Sequence, residues 1–263
     1  MAPKGEWEAI LLDWGDTLVY VPGYTTSPAR HLECVDELWQ SMEVSGQHLC
    51  LLGGEVDCER FRAAYEAVCA EQLALSSRTG REHRLEDRLQ ETLRRAGCTC
   101  AVEAVAIDRL VTRFADALFA RTHPMDGAAE VLAALSDRYR LGLVANYPFP
   151  RLVLDTLERF GLRPYFTTLV ISGSLGWAKP HPTPFREALR GLGTPPERAL
   201  FVGDSLSNDM RGAKAAGLWT AWLAPERPAV PEPAVDYHLA GLKDLLAIVD
   251  GRGAPRSIGR SEA

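Results

Sequence analysis

Several things are scarce in this chain of 263 residues, and each scarcity excludes something. Lysine occurs only as Lys4, Lys179, Lys214 and Lys243, and no basic cluster forms anywhere. With a net charge of −6, the sequence lacks the electrostatic footprint of a nucleic-acid binder. No apolar run approaches the roughly 20 residues that cross a bilayer. The opening MAPKGEWEA has no hydrophobic signal region, so a cytoplasmic protein without membrane contact is expected. The six cysteines (Cys34, Cys50, Cys58, Cys69, Cys98 and Cys100) fall in one region. Without a secretory signal they read as reduced thiols filling helices, not as a disulfide framework. The Cys98-Thr-Cys100 pair has no second pair at zinc-like spacing.

What is present is an ordinary globular composition, 46% hydrophobic and 24% charged, enough for one large domain or two modest ones. A first strand is expected from Lys4 to Asp13. From Tyr20 to Thr122 the texture is helical. Leu32, Val35, Trp39 and Met42 share one helix face; Phe61, Tyr65, Val68 and Gln72 share another, with Asp57 as its N-cap. Leu85, Leu89 and Leu93 recur until Gly97, and Val102, Val105, Leu110, Phe114 and Leu118 mark a further helix. These stripes read as core packing. The polar candidates for setting specificity among them (Arg62, Arg78, Arg81, Arg84, His83) are indistinguishable from a solvated helix face.

After His123-Pro124, helices alternate with short apolar strands. Helices are predicted over Ala128–Tyr139, Leu152–Phe160, Phe185–Leu192, Asp209–Ala216 and Leu242–Val249. The strands are Leu141–Ala145, Thr168–Ser172, Ala199–Gly203 and Leu218–Leu223, and Pro225–Val235 reads as a surface connector. Such alternation implies an α/β fold with a parallel sheet and right-handed crossovers. The expected division is an α/β core at 1–19 and 123–250, an all-helical insert at 20–122, and a disordered tail at 251–263. The insert then interrupts the core just after its first strand, and a seam of that kind is a common place for a small-molecule site.

The candidate site begins in ILLDWGDTL, where a buried strand stops at Asp13. In open α/β sheets the carboxyl edge of the strands is where ligands bind. Three later segments reach the same edge: Asp204 and Asp209 in VGDSLSNDMRGAKAAG, Lys179 in GWAKPHPTPF, and Ala145-Asn146 in LVANYP.

In the order and spacing of these motifs the chain resembles a haloacid dehalogenase (HAD) superfamily hydrolase with a helical C1-type cap inserted after the first motif. The resemblance covers about residues 8 to 250. It implies an α/β core with a doubly wound parallel sheet (Rossmann-like) and, for most members, a magnesium-dependent phosphatase acting on a small phosphorylated substrate. Asp13 would be the nucleophile that forms an aspartyl-phosphate. Magnesium takes hard oxygen ligands, here Asp13, Asp204 and the Gly15 carbonyl, with Asp209 orienting the metal site. Lys179 would neutralise the phosphoryl group and hold Asp13 ionised, since a nearby cation lowers a carboxyl pKa. Thr17 would tie down the loop, Asn146 would serve the phosphoryl group beside Lys179, and Trp14 would contact substrate.

Two positions depart from the family pattern. Its first motif, DxDxT, carries a second Asp that protonates the leaving alkoxide; here that position is Gly15 and an Asp follows as Asp16. Adjacent side chains in an extended segment face opposite ways, so Asp16 is not expected to substitute. The second motif's Ser or Thr is Ala145. General acid–base catalysis contributes roughly 10²- to 10⁴-fold, and one transition-state donor roughly 10²- to 10³-fold. A weak phosphatase is therefore expected, with the deficit largest for alkyl phosphates. The alternative is a catalytically silent domain that binds a phosphorylated ligand or a protein. A metal-free 2-haloacid dehalogenase is opposed by Asp204, and a phosphonoacetaldehyde hydrolase by the absence of lysine from the insert.

Overall fold

The computed structural model describes residues 7–21, 39, 58–98, 104–226 and 232–251. The chain divides into two compact units, with boundaries between Tyr20 and Val21 and between Thr122 and His123.

The first unit is built on six strands: β1 (Ala9–Leu12), β4 (Arg140–Ala145), β5 (Thr168–Ile171), β6 (Ala199–Gly203), β7 (Trp219–Leu223) and β8 (Tyr237–Leu239). They pair in parallel in the order β5-β4-β1-β6-β7-β8. β1 and β6 are buried at every residue, which is why they read as unbroken apolar runs and not as alternating ones. This is the doubly wound order in which the winding reverses beside the first strand, and the crevice at that reversal is the usual ligand site. Both β1 and β6 lead directly into an aspartate there, Asp13 and Asp204.

Helices cover the sheet. α4 (Ala128–Ser136) buries Val131, Leu132 and Leu135, and α5 (Pro150–Arg159) starts with proline in its first turn, where a missing N–H costs nothing. A single turn, α6 (Ser172–Leu175), precedes the Lys179 loop. α7 (Pro182–Leu192) packs on β4 and β5 and joins Ala9, Leu11 and Phe201 in one core through Phe185, Ala188 and Leu189. After β6 the chain makes a wide π-type turn over Leu206–Met210 before the short α8 (Arg211–Ala215), so the helix expected from Asp209 begins irregularly. α9 (Asp244–Val249) is the last described helix. β8 was not predicted: three residues are too few to show a period.

Two short strands, β2 (Val19–Tyr20) and β3 (His123–Pro124), pair antiparallel where the chain leaves and re-enters this unit. Tyr20 therefore belongs to this ribbon, stacked on His123 at 4.7 Å, and does not open the insert as its sequence position suggested.

The second unit is helical in its described part. α1 (Cys58–Thr79) packs on α2 (Leu85–Arg95), which packs on α3 (Ala104–Arg121). Phe61, Tyr65 and Val68 are buried as their spacing predicts, as are Leu85, Leu89 and Leu93. Gln72, assigned to the same stripe, instead accepts a hydrogen bond from the buried Arg88 at 2.7 Å. Cys69 is a buried thiol whose pKa is raised by desolvation. The expected N-cap at residue 57, Cys100 and the tail beyond residue 251 lie outside the described residues. Among the described residues no helix is long and apolar enough to cross a membrane.

Candidate active site

The four chemistry-bearing segments come to one edge because their strands are parallel: Asp13 follows β1, Asn146 follows β4, Lys179 lies in the loop after β5, and Asp204 follows β6. Asp13 continues the ladder by donating its N–H to the Val202 carbonyl at 2.9 Å. This fixes it beside the strand that carries Asp204.

Lys179 is the centre of the cluster. Its Nζ lies 2.6 Å from Asp13 Oδ1 and 2.7 Å from Asp209 Oδ1, and all three side chains are buried. Asp204 is half-buried and completes a group of three carboxylates whose ligand atoms lie within 4.8 Å of one another. Fully ionised, three carboxylates against one ammonium would leave two negative charges uncompensated in a desolvated pocket. Burial, followed by repulsion from Asp13 and Asp209, raises the Asp204 carboxyl to about 8. Asp13 rises to about 7, burial outweighing the attraction of Lys179. Lys179, expected to keep Asp13 ionised, lowers its pKa, but without a metal, burial outweighs that attraction. An excess of two negative charges on hard oxygen donors fits a divalent cation such as magnesium, which would remove the penalty that raises both groups. Asp209 is held at both oxygens, by Lys179 at Oδ1 and by the Ser205 N–H at Oδ2 (3.0 Å), as suits a group that orients the site. Gly203 is required beside it, because a Cβ there would collide with the Asp209 carboxylate.

Asn146 sits at this edge, but its side chain is turned to the backbone of Lys179. Oδ1 accepts from the Lys179 N–H at 2.7 Å and Nδ2 donates to the Lys179 carbonyl at 2.8 Å. The sequence placed Asn146 among the phosphoryl contacts; in the structure its amide is hydrogen-bonded to the backbone of Lys179. Trp14 is a second correction. Its side chain is fully buried, donates to Thr156 Oγ1 at 3.1 Å and meets the Tyr147 ring edge-on, so it anchors α5 and offers no substrate surface.

Thr17 is buried as well, and its hydroxyl has no hydrogen-bond partner among the described residues. The loop is tied instead by backbone: the Trp14 carbonyl accepts from the Leu18 and Val19 N–H groups, and the Asp16 N–H donates to the Val19 carbonyl. Within that turn Asp16 adopts φ +53°, the left-handed region in which Asp is tolerated better than most residues. The segment is thus not extended at this point, and the alternation argument used to set Asp16 aside does not hold. Its charge reaches Asp204, whose pKa it helps to raise.

One residue near the site carried no sequence signal. Trp222, half-buried on β7, donates its indole N–H to the Asp204 carbonyl at 2.7 Å.

Comparison with known proteins gives the family. A haloacid dehalogenase-like hydrolase family model matches residues 7–217. The chain is 38% identical over 139 residues to pyrimidine 5'-nucleotidase YjjG of Escherichia coli (strain K12), covering 52% of this chain and 61% of that protein. It is 35% identical over 128 residues to a phosphoserine phosphatase of Thermus thermophilus, covering 48% and 51%. To a glyceraldehyde 3-phosphate phosphatase of Methanopyrus kandleri it is 32% identical over 163 residues, covering 60% and 69%. The match to these relatives spans only about half to two thirds of their length. Among solved structures, a 2-haloacid dehalogenase from Pseudomonas syringae pv. Tomato DC3000 superposes with a TM-score of 0.69 at 22% identity, over 94% of this chain and 100% of that one. The putative HAD-hydrolase YfnB from Bacillus subtilis, bound to magnesium, gives 0.61 at 21% identity, over 93% and 99%. These two share the fold. With a family model running from the first strand to the end of the Asp204–Asp209 motif, the chain belongs to the haloacid dehalogenase-like hydrolases.

Proposed function

We propose that this hydrolase is a phosphatase of small phosphorylated metabolites, working in the cytoplasm through Asp13 with magnesium bound by Asp13, Asp204 and the Gly15 carbonyl. One observation carries the reading: the Lys179 ammonium bridges Asp13 and Asp209 in a buried cluster whose third carboxylate, Asp204, lies within reach of a shared cation. The phosphatase and nucleotidase names of the relatives support it.

In this reading the Asp13 carboxylate attacks phosphorus, the bond from phosphorus to the leaving oxygen breaks, and the phosphoryl group rests on Asp13 as an acyl phosphate. The departing alkoxide takes its proton from solvent, and water then cleaves the mixed anhydride, returning Asp13 and releasing inorganic phosphate. Lys179 holds the Asp13 oxygen in place and offsets the charge of the incoming phosphoryl oxygens. When bound, magnesium supplies the further positive charge that lets an anionic nucleophile approach an anionic substrate. Gly15 offers no proton to the departing alkoxide, and Ala145, buried at the end of β4, offers no hydroxyl donor.

Those two positions favour a second reading, a silent domain that binds a phosphorylated ligand or a protein. A buried, charge-matched lysine and two further carboxylates weigh against it, since a silent binder has no chemical need for that costly arrangement. Hydrolysis of p-nitrophenyl phosphate separates the two. Turnover that requires magnesium, stops with EDTA and is lost in Asp13→Asn is expected; a rate equal in wild type and Asp13→Asn would remove the phosphatase reading.

A further inference from the structure

We infer that Trp222 is a positioning residue for the divalent-cation site, acting through the peptide unit that joins Asp204 to Ser205. The inference rests on the metal assignment proposed above and adds a residue to it.

Trp222 stands on β7 opposite Gly203, the last residue of β6. From there its indole crosses the strand end, and Nε1–H donates to the Asp204 carbonyl at 2.7 Å. The other polar end of the same peptide unit, the Ser205 N–H, donates to Asp209 Oδ2 at 3.0 Å. The plane is therefore held at both ends, by an aromatic side chain on one side and by a carboxylate of the site on the other. A peptide plane fixed at two points cannot rotate without breaking one of them. Its orientation determines where the Asp204 side chain leaves the backbone and where Asp209 is drawn. The indole is in turn braced: it packs against the core beneath β6 and β7 and meets the His238 ring edge-on, with centroids 6.1 Å apart and planes at 81°. Nothing in this arrangement calls for an indole N–H except the Asp204 carbonyl, because phenylalanine would fill much of the same apolar space. A structural role alone would be served by packing; a fixed carbonyl serves the ligand.

Removing the donor leaves the apolar contacts and frees one end of the plane. Outer partners of metal ligands typically contribute about 10- to 100-fold in metal affinity. The link here runs through backbone, so about tenfold is expected. Calorimetric titration of magnesium into the full-length wild type and Trp222→Phe reads this directly, with thermal melts to compare folding. The expected result is a dissociation constant about tenfold higher in the variant. Equal affinity would overturn the role of Trp222 and leave the metal assignment standing; a wild type that takes up no magnesium would overturn both.

A second measurement needs no variant. In ¹H–¹⁵N spectra of the wild type, the Trp222 indole signal, identified through its contacts with the His238 ring, should move as magnesium is added. The indole of Trp219, which donates to the Glu197 carbonyl elsewhere, should stay in place. A stationary Trp222 signal on a protein that binds magnesium would overturn the inference.

Discussion

The amide of Asn146 and the peptide groups of Lys179 hold each other at two points, 2.7 Å from the lysine N–H to Oδ1 and 2.8 Å from Nδ2 to its carbonyl. The lysine side chain is then free of local support and reaches Asp13 and Asp209 from a backbone fixed elsewhere. Asn146→Ala removes both bonds. We expect phosphatase kcat to fall about 10- to 100-fold, the range for partners that orient a functional group. Amine labelling followed by peptide mapping gives a second readout independent of turnover. Lys179 should be protected in wild type and exposed in the variant, while Lys243, already exposed, reacts equally in both. Protection of Lys179 in Asn146→Ala would show that the clamp does not position it.

Asp13 and Asp204 give the metal-free protein an unusual pH dependence. Both folded-state pKa values, about 7 and about 8, lie above the ordinary 3.8. Between those limits the folded state holds protons that the unfolded state has lost, so stability falls as pH rises. Lys179, raised from 10.5 by its two carboxylates once burial is offset, stays charged throughout and does not change the sign. In EDTA the melting temperature should decline from pH 5 to pH 8.5. Magnesium should stabilise most at the alkaline end, where the carboxylates are ionised and no proton must leave. A melting temperature without slope over that range would show that the three carboxylates do not share a desolvated site.

Gly15 stands where the family pattern DxDxT has its second Asp, and Asp16 follows it in the left-handed conformation that glycine adopts most readily, while Gly15 does not lie in that region. Exchanging them, Gly15→Asp with Asp16→Gly, places a carboxyl where the family keeps its proton donor and relieves the backbone. Turnover of an alkyl phosphate should rise about 10²-fold or more, the lower end of what a general acid contributes. Turnover of p-nitrophenyl phosphate, whose leaving group needs no proton, should change far less. Equal effects on both substrates would mean that the missing proton is not what limits this enzyme.

Much of this was legible in the sequence, and the misses have physical causes. The buried runs of β1, β4 and β6 announce a parallel sheet, and each is followed directly by a polar residue that the sheet order brings to one edge. Identity of the cluster followed from that. Orientation did not. Nothing in a string of letters shows that the Asn146 amide turns to a backbone 33 residues away, or that Trp222 reaches a carbonyl across 18 residues. The Asp13 pKa was misjudged for a related reason: a nearby lysine is visible in the motif, whereas the desolvation that outweighs it is a property of the packed site. Trp14 was misjudged because adjacency to the nucleophile suggested contact with substrate.

Trp14 supplies the last test, since its burial and its neighbour predict opposite outcomes. If the side chain contacted substrate, shortening it would raise KM. Buried fully, donating to Thr156 and packed edge-on to Tyr147, it should instead govern stability. Trp14→Phe keeps an aromatic ring but removes the indole N–H and leaves the slot partly empty. The loss of one buried hydrogen bond costs about 1 kcal/mol, and an imperfectly refilled core site adds to that, so about 2 kcal/mol in total is expected from denaturant unfolding. The partner hydroxyl is not left stranded, because Thr156 Oγ1 still donates to the Val153 carbonyl at 2.9 Å. KM should stay within twofold of wild type. A raised KM at unchanged stability would return Trp14 to the substrate surface and with it the placement of the first motif.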